Sequence, residues 1–427
     1  MKLIIACPTL TTSRGGAERV AAWLANSLTR LGHEVSVYAR SGQHERPAYH
    51  LDKGVALKFY PLLVFFDEIE ALRKELVAEK ADVCIVFYWN DELAHWVAAL
   101  DGTGIPLVSS ERNAPEAIEL SQWSRPGRLS ALSGADVIHL LLQDYVASLP
   151  QKLQEKTTVI GNPVVDIRPG APAPDRGRAR KLMCASRLEP KKQQDLLIDA
   201  FYLVHEKFKD WELDIWGSGS LKKKLRKKIA EYKLEGRVHL RGLCADIEAE
   251  YATADIYCIS SRYEGFPNVL LEAMSRGLPC VGLAGCPGVN VLIKDGFNGF
   301  LAPEASAQSL ADKLSLLMDD PELLRRMSEN AVNSVQEYRE EVILDKWVAM
   351  LQKASGIRPT KLQRLKGRPL DYESHLAVLL EETDLISARR LKKHQKQRPS
   401  PRKRCSAAIR KALRAVKRVF IKGKDDY

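Results

Sequence analysis

The stretch ADIYCISSRYEGFPNVLLEAMSRG, residues 254–277, reads as strand, loop and helix in immediate succession. ADIYCISS, from Ala254 to Ser261, is a short apolar run of strand length, and LLEAMSRG, from Leu270 to Gly277, is the helix that follows. In an open α/β sheet this order puts the loop at the carboxyl ends of the strands, where ligands bind. It also aims the helix N-terminus at whatever anion sits there. Two carboxylates bracket the Gly-Phe-Pro-Asn turn: Glu264 in the loop, and Glu272 about one and a half turns into the helix.

Outward from this stretch, the same alternation fills most of the chain. KLIIACP, GGAERVAAWLANSLTRLG, EVSVYAR, DVCIVFY and IPLVSSE form a first βαβ series. The helix from Ala17 to Leu31 carries Val20, Trp23, Leu24, Leu28 and Leu31 at three- and four-residue spacing and stops at Gly32. After Asn162 the pattern gives way to a proline- and glycine-rich stretch, read as an interdomain linker. A second series then runs through KLMCAS, WELDIWG, RVHLRG, ADIYCISS and LPCVGL, followed by helices near 307–318, 321–335 and 340–354. The expected fold class is therefore α/β, with two doubly wound parallel-sheet domains over residues 1–165 and 166–335. A helix over 336–356 is expected to pack back on the first, and 357–427 forms a basic tail.

Composition narrows the class. The 427 residues exceed one ordinary core. No apolar run approaches the roughly 18–20 residues that span a bilayer, and LIIAC is too short for a signal-peptide core. Eight scattered cysteines, without a Cys-x-x-Cys pair, read as reduced structural thiols in a cytosolic protein. From Arg358 to Tyr427 there are 21 Lys and Arg against 7 Asp and Glu, so the excess positive charge sits in the tail and the body is nearly neutral.

Three further pieces carry chemistry. TSRGGAERV places Gly15 and Gly16 in a turn between the first strand and its helix, where backbone N–H groups can approach a phosphate; a plain tight turn is the alternative. It is neither Gly-x-Gly-x-x-Gly nor a P-loop. ASRLEPKKQQDLL sets Arg187 and Lys192 beyond a strand, a forked guanidinium and a point-charge ammonium that suit a diphosphate, against surface charge as the alternative. PLVSSERNAPE leaves a strand and presents Glu111, Arg112 and Asn113 in a loop, and the FYWND loop with Trp89 and Asn90 follows another strand end; Trp89 offers an apolar face to a ligand ring or simply packs.

Taken together, GGAER, the NPV at 162–164, SRLEPKKQQDLLIDAF, WGSGSLKKKL, VHLRG, SRYEGFPNVLLEAMSRGLPCV and DGFNGFLAP resemble, in order and spacing, the family 4 retaining glycosyltransferases over residues 2–354. That resemblance implies the GT-B fold, two Rossmann-like domains facing across a cleft, and transfer of a sugar from a nucleotide sugar, expected to be a UDP-sugar. It implies Glu272 on the ribose, Arg187 and Lys192 on the diphosphate, Gly15 and Gly16 closing over the phosphates, and Glu264 on the transferred sugar. The backbone of Gly265, Phe266, Pro267, Asn268 and Val269 would assist, and Leu243 is placed on the donor side. The SERN segment is similar to bacterial members that build envelope polysaccharide or lipopolysaccharide. Many relatives carry a histidine near here and this chain does not, a departure that bears against a catalytic base in this segment; the resemblance still sets Glu111 and Asn113 beside Glu264 as candidate catalytic groups, with Trp89, Asn90 and Arg112 on the acceptor side.

No Asp-x-Asp occurs in the chain, and metal-independent transfer with no cofactor beyond the co-substrate is expected, the cations and helix end receiving the phosphate charge. A glycosidase pair is the reading that Glu272, placed on a helix behind the loop, argues against. A nucleotide-sugar epimerase, or a non-catalytic scaffold on the same fold, remain alternatives. Between Leu385 and Lys424 lie 16 Lys and Arg and no acid, and AAIRKALRAVKRVFIK puts Ile409, Leu413, Val416 and Phe420 on one stripe. That pattern suits an anionic membrane surface, hence a peripheral site on the inner face of the cytoplasmic membrane and a glycan or lipid-linked acceptor. A disordered tail is the alternative. One aromatic residue and no recognised module speak against nucleic acid.

Overall fold

The computed structural model describes residues 1–40, 46–61, 66–88, 92–121, 125–164, 167, 180–244 and 246–357. All of them lie in the compact unit Met1–Gly367. Trp89, Asn90 and the basic segment 385–424 lie outside the described residues.

The first sheet has seven parallel strands: β1 (Lys2–Ala6), β2 (Glu34–Arg40), β3 (Val55–Tyr60), β4 (Val83–Tyr88), β5 (Leu107–Glu111), β6 (Val137–Leu140) and β7 (Thr157–Val159), in the order β3-β2-β1-β4-β5-β6-β7. The second has six: β8 (Arg180–Ala185), β9 (Trp211–Trp216), β10 (Val238–Gly242), β11 (Ile256–Ile259), β12 (Cys280–Leu283) and β13 (Gly299–Ala302), in the order β10-β9-β8-β11-β12-β13. Both orders reverse beside the first strand of the series, between β1 and β4 and between β8 and β11. Such a reversal splays the neighbouring loops apart and leaves a crevice at the carboxyl ends.

Helices on both faces explain the near-continuous apolar strands. In the first sheet Ile4 and Ala6 face one core, with Tyr38, Trp96 and Leu100, while Leu3 and Ile5 face the other, with Val20, Leu24 and Leu28 of the Gly16–Arg30 helix. Leu31, expected on that buried stripe, is instead 54% exposed, because the helix ends one residue earlier. The second face is completed from the far end of the chain. Ile343, Trp347, Met350, Leu351 and Ala354 of the Glu340–Ser355 helix lie in the first domain's core, with Trp347 stacked on Phe87 at 6.0 Å.

The chain therefore crosses between domains twice. The crossings touch: Val164 and Arg339 form a parallel bridge, and the Val164 N–H donates to the Tyr338 carbonyl at 2.8 Å. Of the seven described cysteines, six are buried and Cys244 is partly exposed, and all seven are free thiols. Among the described residues, no helix is long and apolar enough to cross a membrane.

Candidate active site

The 254–277 stretch folds as strand β11, a loop from residue 260 to 267, and the helix Asn268–Ser275 with Pro267 at its N-cap. The helix starts two residues earlier than the apolar pattern indicates, since Asn268 and Val269 belong to its first turn. Proline suits the N-cap region because the first amides of a helix have no partner within it. Leu270, Leu271, Ala273 and Met274 hold the helix in the core, which turns Glu272 toward the cleft end. The loops after β8 and β11 are neighbours at the switch point, so Lys192 and Glu264, 72 residues apart, meet: Lys192 Nζ donates to Glu264 Oε1 at 2.6 Å. Lys192 is held from behind by Ser260, whose hydroxyl donates to the Lys192 carbonyl at 2.9 Å.

Arg187 lies on the same loop, but its side chain is 67% exposed and pairs with Glu189 at 2.8 Å. Burial first, and then the charges of Arg187 and Lys192, press the Lys191 ammonium below its ordinary range, against the opposing pull of Glu189 and Glu264. Leu243, just past β10, is 80% exposed.

Opposite stands the first domain. The Gly16–Arg30 helix faces the Asn268–Ser275 helix over one turn: Gly16 opposes Asn268, and Arg19 opposes Glu272. A Cβ on Gly16 would come within 3.0 Å of Asn268 Nδ2, so the absence of a side chain there allows the approach. Gly265 is tighter, since a Cβ would lie 2.5 Å from the Arg112 carbonyl oxygen and 3.0 Å from Asn113 Cα. The Tyr145 hydroxyl of the first domain reaches the Glu264 and Gly265 carbonyls at 2.7 and 3.0 Å. Phe266 is buried with its ring 5.5 Å from Tyr338, a packing role that leaves its backbone for the loop.

Glu272 is 6% exposed. One oxygen pairs with Arg19, and the other accepts from Tyr251 Oη at 3.2 Å. Burial raises the Glu272 carboxyl above its ordinary value, and the Arg19 cation opposes this without reversing it. Burial alone would lower Arg19, yet Glu272 and Glu248 together raise it. Both values rise, which favours the charged form of Arg19 and disfavours that of Glu272, the more buried partner: Arg19 keeps 31% of its side chain in solvent and Glu272 8%.

The glycine turn is capped from within. The Gly15 N–H donates to Glu18 Oε2 at 3.0 Å, and Glu18 also accepts from Thr9. The first amide of the turn, expected to approach a phosphate, is thus already engaged, which leaves Gly16 as the nearer candidate. Gly-x-x-Glu ahead of an apolar run is a capping-box spacing, so this was legible.

The SERN segment departs most from expectation. Glu111 is not in a loop; it is the last residue of β5, paired in register with Tyr88. It is 1% exposed, and Arg128 grips both oxygens, Nε to Oε2 at 2.7 Å and Nη2 to Oε1 at 2.6 Å, while Tyr88 Oη adds a third bond at 3.0 Å. This is a buried structural ion pair. Arg112, expected at the acceptor side, is 8% exposed. It lies over the Phe87 ring at 4.9 Å and donates to Asn162 and to Ser110. Asn162 Nδ2 in turn donates to Asn268 Oδ1 at 2.6 Å. Asn113 stays partly exposed beside Gly265. Arg19, Tyr145, Glu248 and Tyr251 were not among the residues read from the sequence.

Two doubly wound domains, with cations and carboxylates gathered at facing switch points, are the architecture of a GT-B glycosyltransferase. Residues 14–166 match the family model described as Glycosyltransferase Family 4, and residues 173–334 match that described as Glycosyl transferases group 1. The chain belongs to glycosyltransferase family 4. It is 26% identical over 345 residues to an uncharacterized glycosyltransferase of Haemophilus influenzae, covering 79% of this chain and 97% of that protein. It is 24% identical over 358 residues to a Campylobacter jejuni N-acetylgalactosaminyltransferase, named for a GalNAc-bearing diNAcBac-PP-undecaprenol substrate, covering 80% and 96%. Among solved structures it resembles Anabaena Alr3699/HepE in complex with UDP, with a TM-score of 0.70 at 20% identity over 83% of this chain and 100% of that one.

Proposed function

We propose that this glycosyltransferase moves a sugar from a UDP-sugar to a bacterial envelope glycan or lipid-linked acceptor, with retention of anomeric configuration and without a metal. The observation that carries the reading is the cross-cleft register in which Gly16 opposes Asn268 and Arg19 opposes Glu272. It sets the glycine turn of one domain against the head of the helix whose carboxylate would take the ribose hydroxyls.

In this reading Lys192, with Arg187 reoriented from Glu189, neutralises the diphosphate as it departs, and the Asn268 and Val269 amides at the helix head add to that field. Glu264 accepts hydrogen bonds from the transferred sugar once Lys192 turns to phosphate. The acceptor hydroxyl attacks from the face the phosphate leaves, and a phosphate oxygen takes its proton. Glu111, locked by Arg128, serves only to hold the floor of the cleft, and Asn113 is the polar group of that segment left to meet the acceptor.

The UDP of Anabaena Alr3699/HepE supports the choice of base, and the undecaprenol-linked substrate named for the Campylobacter relative supports a lipid-linked acceptor. The cationic residues 385–424 would hold the enzyme at the inner membrane face.

The test is a transfer assay with a panel of nucleotide sugars, the product anomer being read by NMR. Retention is expected; an inverted product, or an isomerised donor formed without acceptor, would reject the proposal. Glu272→Ala should raise the donor Kd about tenfold or more, with a smaller effect on kcat.

A further inference from the structure

The group opposite Glu272 has no part in the reaction as set out above. Arg19 stands one helical turn beyond Gly16, so both project from the same face of the first-domain helix. Tyr251, 0% exposed, approaches Glu272 from the interior of the second domain, and Arg19 approaches from the cleft. A ribose can enter only from the cleft side. Arg19 therefore occupies the position that the ribose hydroxyls need.

A second acceptor is at hand. Glu248 Oε1 lies 3.8 Å from Arg19 Nη2, and Arg276 holds Glu248 in place, with its Nη2 2.7 Å from Oε2. Glu248 keeps 31% of its side chain in solvent, as does Arg19. Moving the guanidinium from Glu272 to Glu248 keeps Arg19 paired, and the buried Glu272 carboxylate, which would be costly to leave uncompensated, retains the Tyr251 hydroxyl and takes the ribose hydroxyls in place of Arg19. The exchange is coupled to ligand entry, because the buried Glu272 gives up Arg19 only as new hydrogen-bond donors reach it, whereas the half-solvated Arg19–Glu248 pair is readily made and broken.

We propose that Arg19 is an exchangeable cap on the donor carboxylate: it closes Glu272 in the empty enzyme and swings to Glu248 when a nucleoside diphosphate enters. The cap also ties the two domains together until the ligand takes over as the bridge. This rests on the reading of Glu272 as the ribose group. Arg19 is a positioning residue, and its effect falls on ligand affinity.

The experiment is calorimetric titration of UDP into the full-length enzyme and five variants, each verified as folded by thermal unfolding. ADP and GDP are run in parallel, and the tightest of the three is carried through. Arg19→Gln should tighten binding by about three- to tenfold, because a competitor is removed, whereas Arg19→Lys should stay near wild type. Glu248→Gln, which takes away the alternative perch, should weaken binding by about two- to fivefold. In Arg19→Gln/Glu248→Gln that weakening should vanish. Weaker or unchanged binding by Arg19→Gln, or a Glu248 effect that persists without Arg19, would overturn the inference. Arg19→Gln/Glu272→Gln separates the two readings: if it binds UDP as tightly as Arg19→Gln alone, the ribose assignment of Glu272 falls first.

Discussion

Asn162 of the first domain donates a hydrogen bond of 2.6 Å to Asn268, the first residue of the second-domain helix that carries Glu272. Behind Asn162 stands Arg112, a buried cation whose Nε has no hydrogen-bond partner among the described residues and whose pKa burial lowers to about 10. Replacing Asn162 with Ala removes the acceptor of one Arg112 bond and the side-chain hydrogen bond to Asn268. The expected cost is about 1–3 kcal/mol of stability, from the stranded donor. A kcat decrease of about tenfold should accompany it, from a helix head no longer pinned to the cleft. Chemical denaturation and steady-state kinetics check the two separately.

Lys192 and Glu264 balance each other where the loops after β8 and β11 meet. Lys192→Ala should lower kcat/KM by about 10²–10³, the scale of losing one well-placed group that stabilises developing charge. Lys192→Arg should recover part of it. Donor titrations with full-length enzyme measure the effect, and an unchanged kcat/KM in Lys192→Ala would remove Lys192 from the diphosphate.

Glu111 and Arg128 predict a stability phenotype. Both side chains are 0% exposed, so Glu111→Gln leaves the guanidinium short of its counter-charge. The expected loss is about 3–5 kcal/mol, and the Glu111→Leu/Arg128→Met double variant should be markedly more stable than either single polar truncation. Urea denaturation decides; full stability with lost turnover in Glu111→Gln would restore a chemical role.

His139 makes stability depend on pH. Its Nε2 is 2.9 Å from the Ile160 carbonyl, which can only accept, so Nε2 carries the hydrogen and Nδ1 accepts from Ser110 at 2.9 Å. Burial, reinforced by the Arg112 charge, lowers its pKa to about 3, with Trp347 packed 4.5 Å away. The unfolded chain takes up this proton near pH 6.5 and the folded chain does not. Its contribution is therefore fully present above about 6.5 and is lost as pH falls, by about 1.4 kcal/mol per unit until about pH 3. His139→Gln should be less stable at pH 7, yet lose about 2 kcal/mol less than wild type between pH 6.5 and 4.5. Denaturation midpoints across that range provide the measurement.

The doubly wound class was legible because inner strands such as Val83–Tyr88 and Ile256–Ile259 are buried on both faces and read as unbroken apolar runs. The edge strands of the first sheet were not: Thr157–Val159 is only partly buried throughout, and Val55–Tyr60 buries just its ends. Lys192, Glu264 and Glu272 were readable since each sits at a fixed offset from its own strand or helix. Arg19 was not, for its partner lies 253 residues away in the other domain, and nothing local distinguishes it from a solvated arginine. Glu111 misled for the same reason: it sits where a loop residue was expected, and its burial follows from Arg128, 17 positions on.

The Glu340–Ser355 helix belongs by sequence to the end of the described chain and by packing to its beginning. On the ribosome, the first sheet can pair its strands early, but one of its faces stays without Trp347 and its neighbours until the second domain has been synthesised. The domain that is started first is finished last, and until then its uncovered face, lined by Leu3, Ile5, Phe87 and Val108, is the surface on which a nascent chain would misassociate or a chaperone would act.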